Sequence, residues 1–113
     1  IYNDEQFFRI FDGTTGAVLT QIVNHSHTRL EMPIIADVDN DGNAEIVFIE
    51  NASGGTTQGI RIYADANDAW VPTRRIWNQH AYHVTNVTEL GAIPTTEAPN
   101  WLDWEPLPPV GAQ

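Results

Sequence analysis

The sequence predicts an all-β, antiparallel domain, and three observations predict it. Short runs of aromatic and β-branched residues recur, each bounded by turns rich in glycine, aspartate or asparagine. No stretch between those runs carries a convincing helical period. The aliphatic run at residues 46–49 leaves an acidic, glycine-containing loop directly, which is the pattern of strand, loop and strand.

Phe7-Phe8-Arg9-Ile10-Phe11 is read as the first strand, and residues 17–23 as the second. Asp12-Gly13-Thr14-Thr15-Gly16 joins them as a five-residue hairpin loop, with glycines available for positive φ. Residues 24–30 are polar and read as a connection. Pro33-Ile34-Ile35-Ala36 leads into the loop at 37–45, and Ile46-Val47-Phe48-Ile49 follows. Four apolar residues without alternation predict a strand covered on both faces. Residues 51–59 form a turn, and Ile60-Arg61-Ile62-Tyr63 alternates as the next strand. Residues 73–84 are read in two ways. Ile76, Trp77, Ala81 and Val84 line one face of a short helix, or Trp77, Val84 and Val87 anchor irregular chain. From Pro94 onward, five prolines with Trp101 and Trp104 predict an extended tail whose indoles pack on something, so residues 1–93 form the domain and 94–113 the tail.

Fifteen carboxylates oppose five arginines, with no lysine, for a formal charge of −10. Such a surface repels nucleic acid and anionic membranes, but suits divalent cations that relieve carboxylate repulsion. There is no cysteine, which excludes thiolate chemistry and cysteine-bound zinc. No apolar run approaches the roughly 20 residues of a membrane-spanning helix. The first residues carry neither initiator Met nor signal peptide, and the chain is read as a processed or excised segment.

The chemistry is concentrated in Asp37-Val38-Asp39-Asn40-Asp41-Gly42-Asn43-Ala44-Glu45. Aspartates two apart place alternate side chains around the inside of a curling loop, and Gly42 permits the bend. Four carboxylates so close repel one another unless a cation joins them, and calcium accepts six to eight oxygens in irregular geometry. An EF-hand requires a glutamate at the twelfth position, which here is Phe48, so the loop is of another kind. A turn without metal needs no strict alternation of three aspartates.

Residues 35–47, centred on this loop, resemble the core of FG-GAP or VCBS repeats, which form blades of β-propellers in integrin α-subunits and large bacterial surface proteins. The resemblance implies side-chain ligation by Asp37, Asp39, Asp41 and Glu45, a backbone carbonyl from Asn43, Ca2+ as the bound ion, and propeller-like blades. Glu45 stands where the family more often has aspartate. Residues 8–16 and 59–63 resemble other blade strands more loosely, and residues 70–80 resemble a segment that follows such blades. A propeller closes with about four to eight four-stranded blades. This chain holds roughly one and a half, so neighbouring blades or identical chains are the expected partners.

His25 with His27, and His80 with His83, have spacings that could pair two imidazoles, but a zinc site needs a third ligand and surface or hydrogen-bonded roles are expected. Asn24, Asn51 and Asn86 each begin an N-glycosylation acceptor pattern. Arg74, Arg75 and Trp77 suit an acidic or sugar ligand, although stems packed over aromatic surface are the commoner arrangement. Trp70, Trp101 and Trp104 are expected as core or tail anchors. No nucleophile elbow, phosphate-cradling glycine loop or Schiff-base lysine is present.

The function expected is a calcium-binding extracellular or cell-surface structural and adhesion module without catalytic activity, with a protein or glycan as a candidate ligand. One alternative is a self-assembling subunit of a fibre or ring, completed by strands of neighbouring chains. Another is the calcium-braced propeller fragment of a polysaccharide lyase or hydrolase.

Overall fold

The computed structural model describes residues 1–26, 32–51 and 59–102. It contains six strands: β1 (Tyr2–Asn3), β2 (Phe7–Phe11), β3 (Val18–Val23), β4 (Ile34–Ala36), β5 (Glu45–Glu50) and β6 (Gly59–Tyr63). They form two three-stranded sheets in the orders β1-β2-β3 and β4-β5-β6, with β1–β2, β2–β3 and β5–β6 antiparallel. The all-β expectation holds, and no helix occurs among the described residues.

β1 is a strand that the sequence pattern did not show. Asp4 creates it by accepting the amides of Gln6 and Phe7 on Oδ1, at 2.8 and 2.7 Å, which turns the chain so that Tyr2 faces Arg9. The β2–β3 hairpin is closed by Asp12, whose Oδ1 accepts the Thr14 and Thr15 amides and the Thr15 hydroxyl. Those bonds, the Thr15 amide foremost, hold the Asp12 carboxyl below its ordinary range.

The chain divides into two compact units, one of residues 1–34 with 46–63 and one of residues 35–45 with the chain from 64 onward. The core of the first unit is a ladder of rings. Phe8 and Phe48 stack with centroids 4.3 Å apart, and Tyr63 follows 5.3 Å from Phe48. Burying Phe8 and Phe48 contributes roughly 1.5–3 kcal/mol each, with about 0.5–1.5 kcal/mol more from each aromatic pair. Asn24, expected in a polar connection, is instead fully buried, donating Nδ2 to Asn3 Oδ1 and to the Ile49 carbonyl at 3.0 and 3.1 Å.

One expectation is corrected. The run at 46–49 is not covered on both faces: Ile46 and Phe48 are buried, while Val47 is half-buried and Ile49 is 46% exposed. The register places Val47 opposite Ile62 and Ile49 opposite Ile60, so the second face of β5 shares an aliphatic strip with β6. Residues 73–84 form no helix and take the irregular of the two readings, with side chains filling carbonyls at their C-terminal end and beyond. Arg74 takes those of Val84 and Val87, Gln79 takes that of Asn86, and Asn86 takes that of Ala81.

Candidate metal centre

The acidic loop connects β4 to β5 and lies wholly within the second unit. Its path requires two left-handed residues, Asn40 at φ 70° and Gly42 at φ 98°. Asparagine tolerates that region because its short side chain bonds locally, and glycine because it lacks a Cβ. These reversals bring one carboxylate oxygen each from Asp37, Asp39 and Glu45 within 4.8 Å of one another. Asp37 and Glu45 are each 4% exposed, whereas Asp39 faces solvent.

The loop is braced by its own acceptors. Glu45 Oε2 accepts the Val38 amide at 2.7 Å, Asp39 Oδ1 the Asp41 amide at 3.2 Å, and Asp41 Oδ1 the Asn43 amide at 2.8 Å. Asp41 and Asn43 stand outside the convergent trio; one oxygen of Asp41 accepts the Asn43 amide, and Asn43 forms an isolated antiparallel bridge with Pro72.

The trio fits a hard divalent cation on chemical grounds. All its donors are anionic oxygens, and two unit charges about 4 Å apart repel by about 4 kcal/mol at an effective dielectric near 20. Among the described residues no arginine or histidine forms an ion pair with Asp37, Asp39 or Glu45. Asp37 Oδ1 is also buried without any hydrogen-bond partner. A buried carboxylate oxygen left unbonded is costly unless something positive completes it.

The sequence pattern gave no sign that residues 72–75 wall this loop. Besides the Pro72 bridge, the Arg74 carbonyl accepts the Asp37 amide at 3.1 Å, and Arg75 Nη1 donates to Asn40 Oδ1 at 2.6 Å. Arg74 turns inward, donating Nη1 to the Val84 and Val87 carbonyls at 2.9 Å each and forming an ion pair with Glu89. Burial alone would lower its pKa; the bonds to Tyr82 and Glu89 outweigh that and raise it. Trp77 stacks on Tyr82 with centroids 4.6 Å apart.

The remaining candidates stay apart from this centre. The His25 carbonyl accepts the Asn51 amide, and His80 is exposed. His83 pairs with Glu97, which also accepts the Thr85 hydroxyl. Neither His80 nor His83 joins a group of three ligating side chains among the described residues. Asn24 offers no accessible amide for a glycan, since its side chain is fully buried and bonded. Asn51 is exposed, and Asn86 Nδ2 is engaged by the Ala81 carbonyl. Trp70 is half-buried. Trp101, expected to anchor the tail, is 78% exposed in a turn closed by Leu102 N–H on the Pro99 carbonyl. His27, Ser53 of the second acceptor pattern, Trp104 and tail residues 103–113 lie outside the described residues.

No family model matches the chain, and no curated protein matches it. Among solved structures, it is similar to the crystal structure of the V. cholerae biofilm matrix protein Bap1, at 34% identity and a TM-score of 0.75. The chain resembles a segment of a biofilm matrix protein. The match covers 88% of this chain and 17% of the Bap1 chain, so this chain spans a small part of the length of the protein it matches. Over that part the two chains have similar folds.

Proposed function

We propose that this chain is a calcium-binding structural or adhesive module of an extracellular protein, without catalytic activity. The observation that carries the reading is the convergence of Asp37, Asp39 and Glu45, together with a buried Asp37 oxygen that has no hydrogen-bond partner. Calcium suits the loop better than magnesium, because the donors come from an irregular turn and not from an octahedral frame. In this reading Asp41 and the Asn43 carbonyl complete the ligand set, and the ion ties the end of β4 to the start of β5. The likeness to a matrix protein supports the extracellular, structural setting. The acidic loop between two strands supports an FG-GAP or VCBS type of blade, in a propeller that other chain completes.

The test is thermal unfolding in chelator and in excess calcium, on the parent chain and on Asp39→Asn. The ion stabilises the folded state by RT ln(1 + [Ca2+]/Kd), about 2.7 kcal/mol at a hundredfold excess over Kd. The parent should melt several degrees higher with calcium and the variant should not respond. Equal melting temperatures for the parent in both buffers would defeat the reading.

One observation favours a second reading, the self-assembling subunit. Val47, Ile49, Ile60 and Ile62 share one face of the β5–β6 ladder, and Ile60 and Ile62 are 72% and 54% exposed. An aliphatic sheet face left in water is a packing surface for another sheet.

A further inference from the structure

We propose that Arg74 is a positioning residue through which occupancy of the acidic loop orders the turns at residues 82–92. The inference rests on the cation reading and adds its mechanical consequence. Arg74 has one group on each side of the linkage. Its backbone carbonyl accepts the amide of Asp37, the buried member of the trio. Its guanidinium, drawn inward, gathers the Val84 and Val87 carbonyls and the Glu89 carboxylate and reaches the Tyr82 hydroxyl at 3.4 Å.

Besides Arg74, side chains hold these turns: Asn86 Oδ1 accepts the His83 amide and Asn86 Nδ2 donates to the Ala81 carbonyl, Gln79 donates to the Asn86 carbonyl, Asn78 donates to the Gly91 carbonyl, and Tyr82 stacks on Trp77. Their backbone bonds are isolated ones, from Asn86 N–H to the His83 carbonyl, Thr88 N–H to the Ala92 carbonyl and Gly91 N–H to the Thr88 carbonyl. Val87 is the one buried apolar side chain among residues 82–92. With one buried apolar side chain and no strand ladder, such a segment opens locally at lower free energy than the sheets, and Arg74 is the residue that joins it to the Asp37 amide.

A cation drawn among Asp37, Asp39 and Glu45 fixes the position of the Asp37 amide, which fixes the Arg74 backbone and with it the reach of the guanidinium. Without the cation, the three carboxylates push apart and that amide is free to leave the Arg74 carbonyl. The Arg75 bond to Asn40 and the Pro72 bridge to Asn43 run along the same stretch of loop, so the whole of residues 72–75 follows the loop's state. Linkage makes the effect reciprocal: the factor by which calcium protects the turns is the factor by which ordered turns tighten calcium binding.

The experiment measures amide exchange of residues 82–92 with and without calcium, beside a calorimetric calcium titration, on the parent, Arg74→Gln and Glu89→Gln. In the parent, calcium should slow exchange at Asn86 and Thr88 at least tenfold. Arg74→Gln should bind one calcium about tenfold more weakly, with the calcium response of 82–92 abolished and that of 37–45 retained. Glu89→Gln removes only the exposed end of the network and serves if Arg74→Gln does not fold; it should weaken binding two- to threefold and reduce the protection. A residue that merely stabilised the fold would raise exchange equally with and without calcium and leave the affinity unchanged. Binding heat without any calcium-dependent protection of 82–92 overturns the coupling and leaves the cation reading standing. No binding heat in the parent overturns both.

Discussion

Asp37 and Asp39 carry the same side chain in opposite surroundings, one buried and one in water, and that difference decides what each can be used to test. Replacing Asp37 disturbs packing as well as charge. Asp39→Asn chiefly removes one negative charge from a repelling cluster, so its sign should depend on the buffer. In chelator the variant should melt at or slightly above the parent temperature, because repulsion is relieved. In excess calcium it should melt below the parent. The acidic cluster was legible from the alternation of its residues, since the loop's chemistry is local. The roles of Asn40 and Arg74 were not, because one depends on a φ value and the other on residues brought together from the second half of the chain.

A second residue-scale prediction concerns His83 and Glu97. The hydrogen bond between them raises the imidazole pKa above its ordinary value, and the same bond with that from Thr85 lowers the Glu97 carboxyl. His83's contribution is complete below its unfolded pKa and is lost as pH rises through the raised folded value. Glu97's is complete above its unfolded pKa and is lost as pH falls through the lowered folded value. The contact therefore holds best between the ordinary carboxylate and imidazole values, about 4.3 and about 6.5, and opens as pH rises through the raised imidazole value. A proton NMR titration of the His83 ring should give a midpoint above the ordinary one, returning toward it in Glu97→Gln. An unshifted midpoint in the parent would show that the pair does not form.

At the scale of elements, β5 shows how burial separates neighbours that look alike in sequence. Phe48 stacks on Phe8 and is 2% exposed, whereas Ile49 faces outward. Phe48→Ala should destabilise by about 3–5 kcal/mol through lost transfer energy and the cavity left behind. Ile49→Thr should change stability by less than about 1 kcal/mol. Chemical denaturation of the two variants checks the contrast, and similar losses would contradict the assigned faces. The hairpin of β2 and β3 was legible because its turn chemistry sits in adjacent residues, with Asp12 accepting from Thr14 and Thr15. The chain after Thr73 was legible only as one of two readings, helix or irregular, since carbonyls there are taken by side chains up to 13 positions away in sequence. A periodic pattern carries no trace of such bonds.

At the scale of the whole molecule, the fold class was visible in the spacing of strands and turns, while the exposed aliphatic strip was not. The same run of Ile46-Val47-Phe48-Ile49 fits a strand covered on both faces, and which face remains open is decided by tertiary placement. If Ile60 and Ile62 form a packing surface for other copies, the chain should sediment as larger species at high micromolar concentration, and Ile60→Thr with Ile62→Thr should return it to a monomer. A monomer at every concentration would remove the assembly reading. The charge of −10 opposes such association at low ionic strength, so it should strengthen as salt is added.

The measurement that bears most directly on the account is calorimetric titration of calcium into the chelator-treated chain and into Asp39→Ala. The account predicts binding of one calcium per chain in the parent, with affinity lost or greatly weakened in the variant. A parent that takes up no calcium, or a variant that binds it as tightly as the parent, would contradict it, leaving residues 37–45 as a turn that joins two strands.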